Sequence, residues 1–406
     1  MSNYLSNFLT YTDGTECPET FWRWSAISLL SHIAGRKIWF YHGDFKIHCN
    51  MYITLVGGPG SGKSTAKDEV RDLLLEEFPT YMEATDIQSR EDIIKRMAKE
   101  ECLVAFKNLA GKMVEYRPFY ILADEFSNFL SVNPEGMIGF LTGVYGANSY
   151  STGFKNTESQ RFDNPYVSML ACGVPDWFVK ELRTPMVTGG LGRRLILVVA
   201  ENNKIISRPY HPKGWQALRQ KVIEHLSVTR EAVGEFKMTP IAVTWWDDWY
   251  DRSKKNPPAD PVLLQFHARK EIILLKVAMV LGLTEAPVTY KLTDDLLAAA
   301  GAMIDLLEPN VEKLSRGVGR NELAAIAANV LATVEHYEGV VSERQLYKVF
   351  NREARIPEWE EILQSLQNTG QTEMIESTDE AGVTRRFVIL PASERGKLII
   401  EKANAS

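Results

Sequence analysis

An α/β layer with helices on both faces, then a helical region and a small terminal module, is the architecture this 406-residue sequence predicts. Three observations carry it. Strand-like and helix-like periods alternate from about residue 50 to residue 200, as a layer with helices on both faces requires. The stretch LVGGPGSGKST joins the apolar run NMYIT to a helical period, so a glycine-rich turn links a buried strand to a helix. From about residue 204, where KIISRPYHPKG is broken by Pro and Gly, helical periods dominate.

The predicted divisions are 1–48 (arm, helix and hairpin), 49–205 (core), 206–318 (helical lid and linker), 319–395 (terminal module) and 396–406 (tail). The first fifteen residues read as a polar arm. Pro18-Glu19-Thr20 opens the helix FWRWSAISLLSHIAG, closed by Gly35, and KIWFYHG with FKIHCN reads as a hairpin broken at Gly43-Asp44. Helices are expected at 63–78, at 89–108 with Asp86 or Ser89 as cap, and at 134–145. MVEYRPFYILADEF reads as a short strand, a turn and an apolar strand Phe119 to Ala123, while YVSMLACGV and RRLILVVA read as two further strands. Later helical periods fall at 211–226, 240–250, 262–281 and 291–315. NELAAIAANVLATVEHY, SERQLYKVFN and PEWEEILQSLQNTG then give three helices, and TEMIES and TRRFVIL a hairpin around Asp379 to Gly382. Three helices and a hairpin are the pattern of a winged helix.

Composition narrows the class. The chain is 45% apolar and 24% charged, with net charge −6, so it is globular and carries no strong basic field. Cys17, Cys49, Cys102 and Cys172 form no Cys-x-x-Cys pair and read as reduced, buried side chains. The start MSNYLSNFLTYTDG lacks the basic and then apolar regions of a signal peptide. No uninterrupted apolar run reaches the roughly eighteen residues of a membrane span. Cytoplasm is the expected location.

The chemistry centres on two motifs. Gly57, Gly58, Pro59, Gly60, Ser61, Gly62, Lys63 and Ser64 match G-x-x-x-x-G-K-[ST], with Thr65 following, after a strand and opening a helix. In that context the glycines let backbone N–H groups turn toward phosphates, Lys63 reaches the β and γ phosphates of ATP, and the Ser64 hydroxyl faces Mg²⁺. YILADEF supplies the second motif: carboxylates at a strand's C-terminal end, where open α/β sheets bind ligands. Asp124 is expected to hold Mg²⁺ through water, and Glu125 to polarise the attacking water. Oxygen donors of this kind suit Mg²⁺ rather than zinc.

Four further expectations are weaker in pattern. Asn164, before a strand, is a polar candidate for sensing the γ-phosphate, and Arg269 a candidate to reach the nucleotide from the helical lid. Arg193 and Arg194, between a glycine run and an apolar strand, suit a finger crossing to a neighbour's γ-phosphate. Tyr150, Phe154 and Lys155 combine aromatic surface with charge, which suits a sequence-tolerant grip on single-stranded DNA. The same polar run also reads as an ordinary surface hairpin.

With those residues in view, PETFWRWSAISLLSHIAGRKIWF, NMYITLVGGPGSGKST, LADEFSNFL, NPYVSMLACGVPDWF and TGGLGRRLILVV resemble a family of phage- and plasmid-borne P-loop ATPases. That family is often found beside primase domains and is distantly related to hexameric replicative helicases. The likeness covers roughly residues 18–300, and only the P-loop and the acidic pair are chemically specific. It implies a RecA-like or AAA+-like core, catalysis by Glu125, a finger from Arg193 or Arg194, a homo-oligomeric and usually hexameric ring, and work on DNA in replication. It also implies the cytoplasm of a bacterial host. The chain departs from the pattern in carrying no fused primase or zinc segment, so a primase or other replication protein would be a separate partner.

The leading expectation is an ATP-driven DNA translocase or helicase. The alternatives are an ATPase for DNA packaging, partitioning or helicase loading, and a nucleotide-gated DNA-binding or scaffold protein. In the terminal module the third helix carries Glu358, Glu360 and Glu361 and no Lys or Arg. Arg344, Lys348, Arg352 and Arg355 flank the second helix, and Arg385 and Arg386 lie on the hairpin. DNA contact is therefore expected from the second helix or the hairpin arginines, and docking of protein is the favoured role.

Overall fold

The computed structural model describes residues 3–78, 82–84, 89–154, 157–181, 190–201, 204–206, 209–258, 261–378 and 384–404. The chain divides into two units, Met1–Ser315 and Arg316–Ser406. In chain order the first holds α1 (Tyr4–Thr12), α2 (Glu19–Ala34), β1 (Ile38–His42), β2 (Phe45–His48), β3 (Tyr52–Val56), α3 (Lys63–Glu77), β4 (Met82–Ala84) and α4 (Arg90–Ala98). Next come β5 (Val104–Lys107), β6 (Met113–Ala123), α5 (Phe126–Ser131), α6 (Pro134–Val144), β7 (Ser149–Phe154), β8 (Thr157–Asp163), β9 (Pro165–Gly173), α7 (Pro175–Glu181) and β10 (Leu195–Val199). After helix Trp215–Glu231 come β11 (Gly234–Met238), helices Pro240–Lys255, Pro261–His267 and Lys270–Leu283, β12 (Lys291–Leu292) and helix Asp294–Asp305.

The central sheet has the order β10-β3-β9-β6-β4, all parallel, with β5 antiparallel to the start of β6. Side chains alternate between its faces. Ile53, Leu55, Leu122, Leu170 and Ile196 enter one buried cluster with α2, α3 and helix Lys270–Leu283. Tyr52, Val56, Ile121, Met169 and Leu197 enter another with α4, α5 and α6. Both faces are thus covered by helices, which is why its strands are apolar at nearly every position rather than at every second one.

Several elements differ from expectation. The polar arm is helix α1, capped by the Asn3 side chain accepting from the Leu5 N–H. Its Tyr4, Leu5, Phe8 and Tyr11 are buried at helical spacing against α2 and helix Trp215–Glu231. The helix expected over 89–108 ends at Ala98, and Val104–Lys107 is strand; Ser89 is the cap, while Asp86 lies outside the described residues. The expected break in MVEYRPFYILA is absent. Pro118 falls between the stretch of β6 paired with β5 and the stretch paired with β4, where the strand is bonded to β9 alone. A proline is tolerated at such a one-sided position.

A second sheet, β12-β11-β1-β2, shares the first unit. After helix Glu308–His336, of which the residues from Arg316 belong to the second unit, the chain runs strand β13 (Val340–Ser342), helix Glu343–Phe350, helix Ile356–Asn368, β14 (Glu373–Thr378) and β15 (Thr384–Ile389). The sheet order is β13-β15-β14, antiparallel, over a core that includes Val330, Leu346, Phe350, Trp359 and Leu366. The turn Asp379 to Gly382 lies outside the described residues. The expected tail is mostly helix, Glu394–Asn404. All four cysteines are buried and free, and among the described residues no helix is long and apolar enough to cross a membrane.

Candidate functional site

The two ends of the parallel sheet carry different chemistry. At the C-terminal ends, β3 runs into Gly57 to Gly62 and α3 begins at Lys63. The Gly57 N–H bonds the Gly173 carbonyl at the tip of β9, 3.2 Å away, and the Ala200 N–H bonds Val56, so loop and strand tips form one rim. Gly62 is left-handed, with φ +84°, and a Cβ there would stand 2.7 Å from the Cα of Cys17. No other residue fits both constraints. Around Gly58 and Gly60 there is open space, and no side chain caps the first turn of α3.

Lys63 lies over this loop. Its Nζ donates to the carbonyls of Gly57 (2.6 Å) and Gly58 (2.8 Å) and to Ser61 Oγ (3.3 Å). Burial pulls its pKa down, and the fields of Cys172 and Glu125 oppose that shift. Ser64 and Thr65, on the next positions, are exposed. Asp124 and Glu125 leave the end of β6 two strand positions from β3, with β9 between. Two interstrand spacings of about 4.8 Å therefore separate β6 from β3 across the sheet.

A residue outside the sequence expectation holds Asp124. Lys67, one turn beyond Lys63, is buried, and its Nζ lies 2.6 Å from Asp124 Oδ1 and 2.8 Å from Asp68 Oδ1. Burial opposes its charge; the hydrogen bonds to Asp124 and Asp68 outweigh burial and raise its pKa. Helical period alone puts Lys63 and Lys67 on one face of α3, which is the signal that was available. Glu125 precedes α5 and accepts from Ser127 Oγ at 3.2 Å. Cys172, beside these groups at the end of β9, has its thiol pushed up to about 12 by burial, so it stays protonated and packs.

Arg193 and Arg194 stand before β10, at the opposite end. Leu195 is in register with Tyr52 and Val199 with Val56, so the strand separates them from the loop by about 16 Å at ~3.3 Å per residue. That is longer than any side chain. Arg194 stacks over Tyr145, 5.5 Å from the ring centroid, and donates to the Gly190 carbonyl. Arg269, N-cap of helix Lys270–Leu283, lines the same cavity of about 700 Å³ as Arg193 and Arg194 and lies far from the glycine loop. Asn164 is at this end too: it precedes β9, has φ +50° and donates to the Glu115 carbonyl at 2.8 Å, as a turn residue does.

The remaining candidates are dispersed. Tyr150 on the β7–β8 hairpin packs against Phe140 (5.5 Å between centroids) and Phe162 (5.6 Å). Phe154 ends β7, and Lys155 lies outside the described residues. In the second unit, Arg386 pairs with Glu343 through both nitrogens, Nε at 2.7 Å, and Arg385 is exposed on β15. Glu358 bonds back to the Arg355 N–H at 2.9 Å, while Glu360 and Glu361 are exposed, as are Arg344, Lys348 and Arg352.

Among the described residues no group of three or more His, Cys, Asp or Glu is placed to hold a metal ion. A donor set of one hydroxyl, one carboxylate, phosphate oxygens and water, as Ser64 and Asp124 offer, is the kind Mg²⁺ accepts. No family model matches the chain, and no curated protein matches it.

Proposed function

We propose that the first unit is a P-loop ATPase and that the whole chain works as a ring-forming translocase or helicase on DNA. The observation that carries the reading is the convergence of the glycine loop, Lys63, Asp124 and Glu125 on one sheet edge. In this reading Gly57 to Thr65 wrap the phosphates of ATP, and Lys63 exchanges its loop carbonyls for phosphate oxygens. Ser64 and Asp124 would hold Mg²⁺, which would supply charge neutralisation to the phosphates. Lys67 fixes the Asp124 carboxylate, and Glu125 takes the proton of the attacking water.

Because Arg193 and Arg194 face away from their own loop, their role in this reading is to stabilise charge on a nucleotide held by a second copy, so the active form is an oligomer. Helix, strand, two helices and a hairpin in the second unit fit a winged helix, with its exposed acidic third helix serving protein docking and its basic second helix serving DNA. The test is phosphate release from ATP by wild-type and Glu125→Gln protein, with single-stranded DNA, duplex DNA or neither. Turnover that requires Glu125 and rises with DNA is the expected result. Turnover in the variant equal to wild type removes the ATPase reading, and turnover indifferent to DNA favours the packaging, loading or scaffold alternatives.

A further inference from the structure

The cavity at the start of the parallel strands is rich in cationic side chains. Among the described residues Arg36, Lys46, Arg193, Arg194, Arg269 and Lys276 line it, against one carboxylate, Glu271, which pairs with Lys254 at 3.1 Å. Two of the six are scaffolding. Arg36 donates to the carbonyls of Ala147 (2.7 Å) and Pro165 (3.0 Å), and the buried Lys276 donates to the Asn50 carbonyl (2.6 Å) and its Oδ1 (3.0 Å).

Of the other four, only Arg194 donates to a carbonyl among the described residues, that of Gly190. Arg193 and Arg269 make no side-chain hydrogen bond or ion pair among the described residues. The Nε of Arg194 is buried without an acceptor. Lys46 is exposed and rests over the Trp39 ring. Like charges held this close repel, and burial followed by the fields of Arg269 and Arg193 depresses the Arg194 pKa. An anion relieves that repulsion, and arginine forks match phosphate oxygens. At about 700 Å³ the space suits a compact ligand rather than a duplex. Phe45, 76% exposed on its wall, offers a ring for a base.

We infer that this cavity is a second polyphosphate site, in which Arg193, Arg194 and Arg269 hold the phosphate chain of a nucleotide. The nucleotide comes either free from solution or carried on the loop of a second copy. For a free nucleotide the site stands on its own residues; for a carried one it rests on the ATPase reading.

The probe is inorganic tripolyphosphate, titrated calorimetrically into full-length Lys63→Ala protein, whose own loop is disabled, at low and high salt. Expected is one salt-sensitive site, weakened at least tenfold in Lys63→Ala protein that also carries Arg194→Ala and Arg269→Ala. No uptake by the Lys63→Ala protein, or undiminished affinity in the triple variant, overturns the site. Arg269→Gln alone, at a half-exposed position, keeps the test valid where the triple variant melts early: unchanged affinity there also overturns it. ATP binding to dilute, monomeric Lys63→Ala protein at this cavity identifies the free source. Recovery of turnover on mixing Lys63→Ala with Arg269→Gln subunits identifies the carried one. Failure of the ATPase reading shows separately, as ATP turnover unaffected by Lys63→Ala.

Discussion

The two ends of one sheet are built on opposite electrostatic plans. Where the strands finish, each charge has a local answer: Lys67 sits between Asp124 and Asp68, and Lys63 lies on loop carbonyls. Where the strands begin, arginines from three distant segments share a cavity with little to balance them. In the proposed reading the first end holds and cleaves a ligand with its own groups, and the second is completed by an anion from elsewhere. A parallel sheet imposes that separation, because every strand tip lies at one edge and every strand start at the other.

The sharpest way to break this contrast is at the tip. Glu125→Gln should lower ATP turnover by about 10²–10⁴-fold, the range for loss of a general base, with ATP affinity retained in equilibrium binding. Equal loss of binding would make Glu125 a structural or metal-holding residue. At the opposite edge, Arg194→Ala should cut turnover by about 10³-fold in assembled protein while leaving nucleotide affinity of the loop intact. Wild-type specific activity should rise with protein concentration. Full activity from a demonstrated monomer would show that the two ends do not cooperate.

Lys67→Met sharpens the account of the first end. Losing the partner of Asp124 should reduce turnover by about tenfold, as removal of an outer-shell partner does, and shift the Mg²⁺ concentration for half-maximal rate. Lys67→Arg should recover part of the loss; no change in either variant would make the ion pair incidental.

The smallest effect acts on both ends together, through the sheet between them. His32 stacks on Tyr120, 4.4 Å between centroids, and burial pushes its pKa down to about 3. The unfolded chain then binds the extra proton between about pH 6.5 and pH 3, so stability is full above pH 6.5 and is lost as pH falls toward 3. At pH 5 the loss from this group is about 2 kcal/mol. His32→Phe should flatten the thermal-melting profile between pH 7.5 and pH 5; an unchanged slope would assign the acid sensitivity elsewhere.

How much was legible in the sequence follows from how local each signal is. The strand, glycine loop and helix at 52–77 and the carboxylates after β6 are contiguous patterns, and each falls where the pattern puts it. Lys67 was passed over because its importance depends on the tip of β6 meeting α3, a contact between residues 57 positions apart. Arg269 was expected at the nucleotide and instead joins Arg193 and Arg194, since only the folded path of the chain brings those segments together. Asn164 illustrates a rule that was available: it precedes its strand, whereas groups at the loop must follow theirs. The spacing of Tyr4, Leu5, Phe8 and Tyr11 likewise announced α1, and polar neighbours obscured it. β12, with two residues, has no periodicity to read.

The contact between Cys17 and Gly62 turns the segment joining α1 to α2 into a gauge. The rear wall of the loop is set by residue 17, which is held in turn by its neighbours: Asp13 pairs with Lys204 at 3.0 Å, and the Gly14 carbonyl accepts from the Tyr210 N–H at 3.1 Å. Side chains along that segment that make no such contact can be exchanged more readily than its length can be changed. One residue inserted between Asp13 and Cys17 would displace the wall by roughly one residue's rise, about 3.3 Å, and the glycine loop would change shape though none of its own residues had been touched.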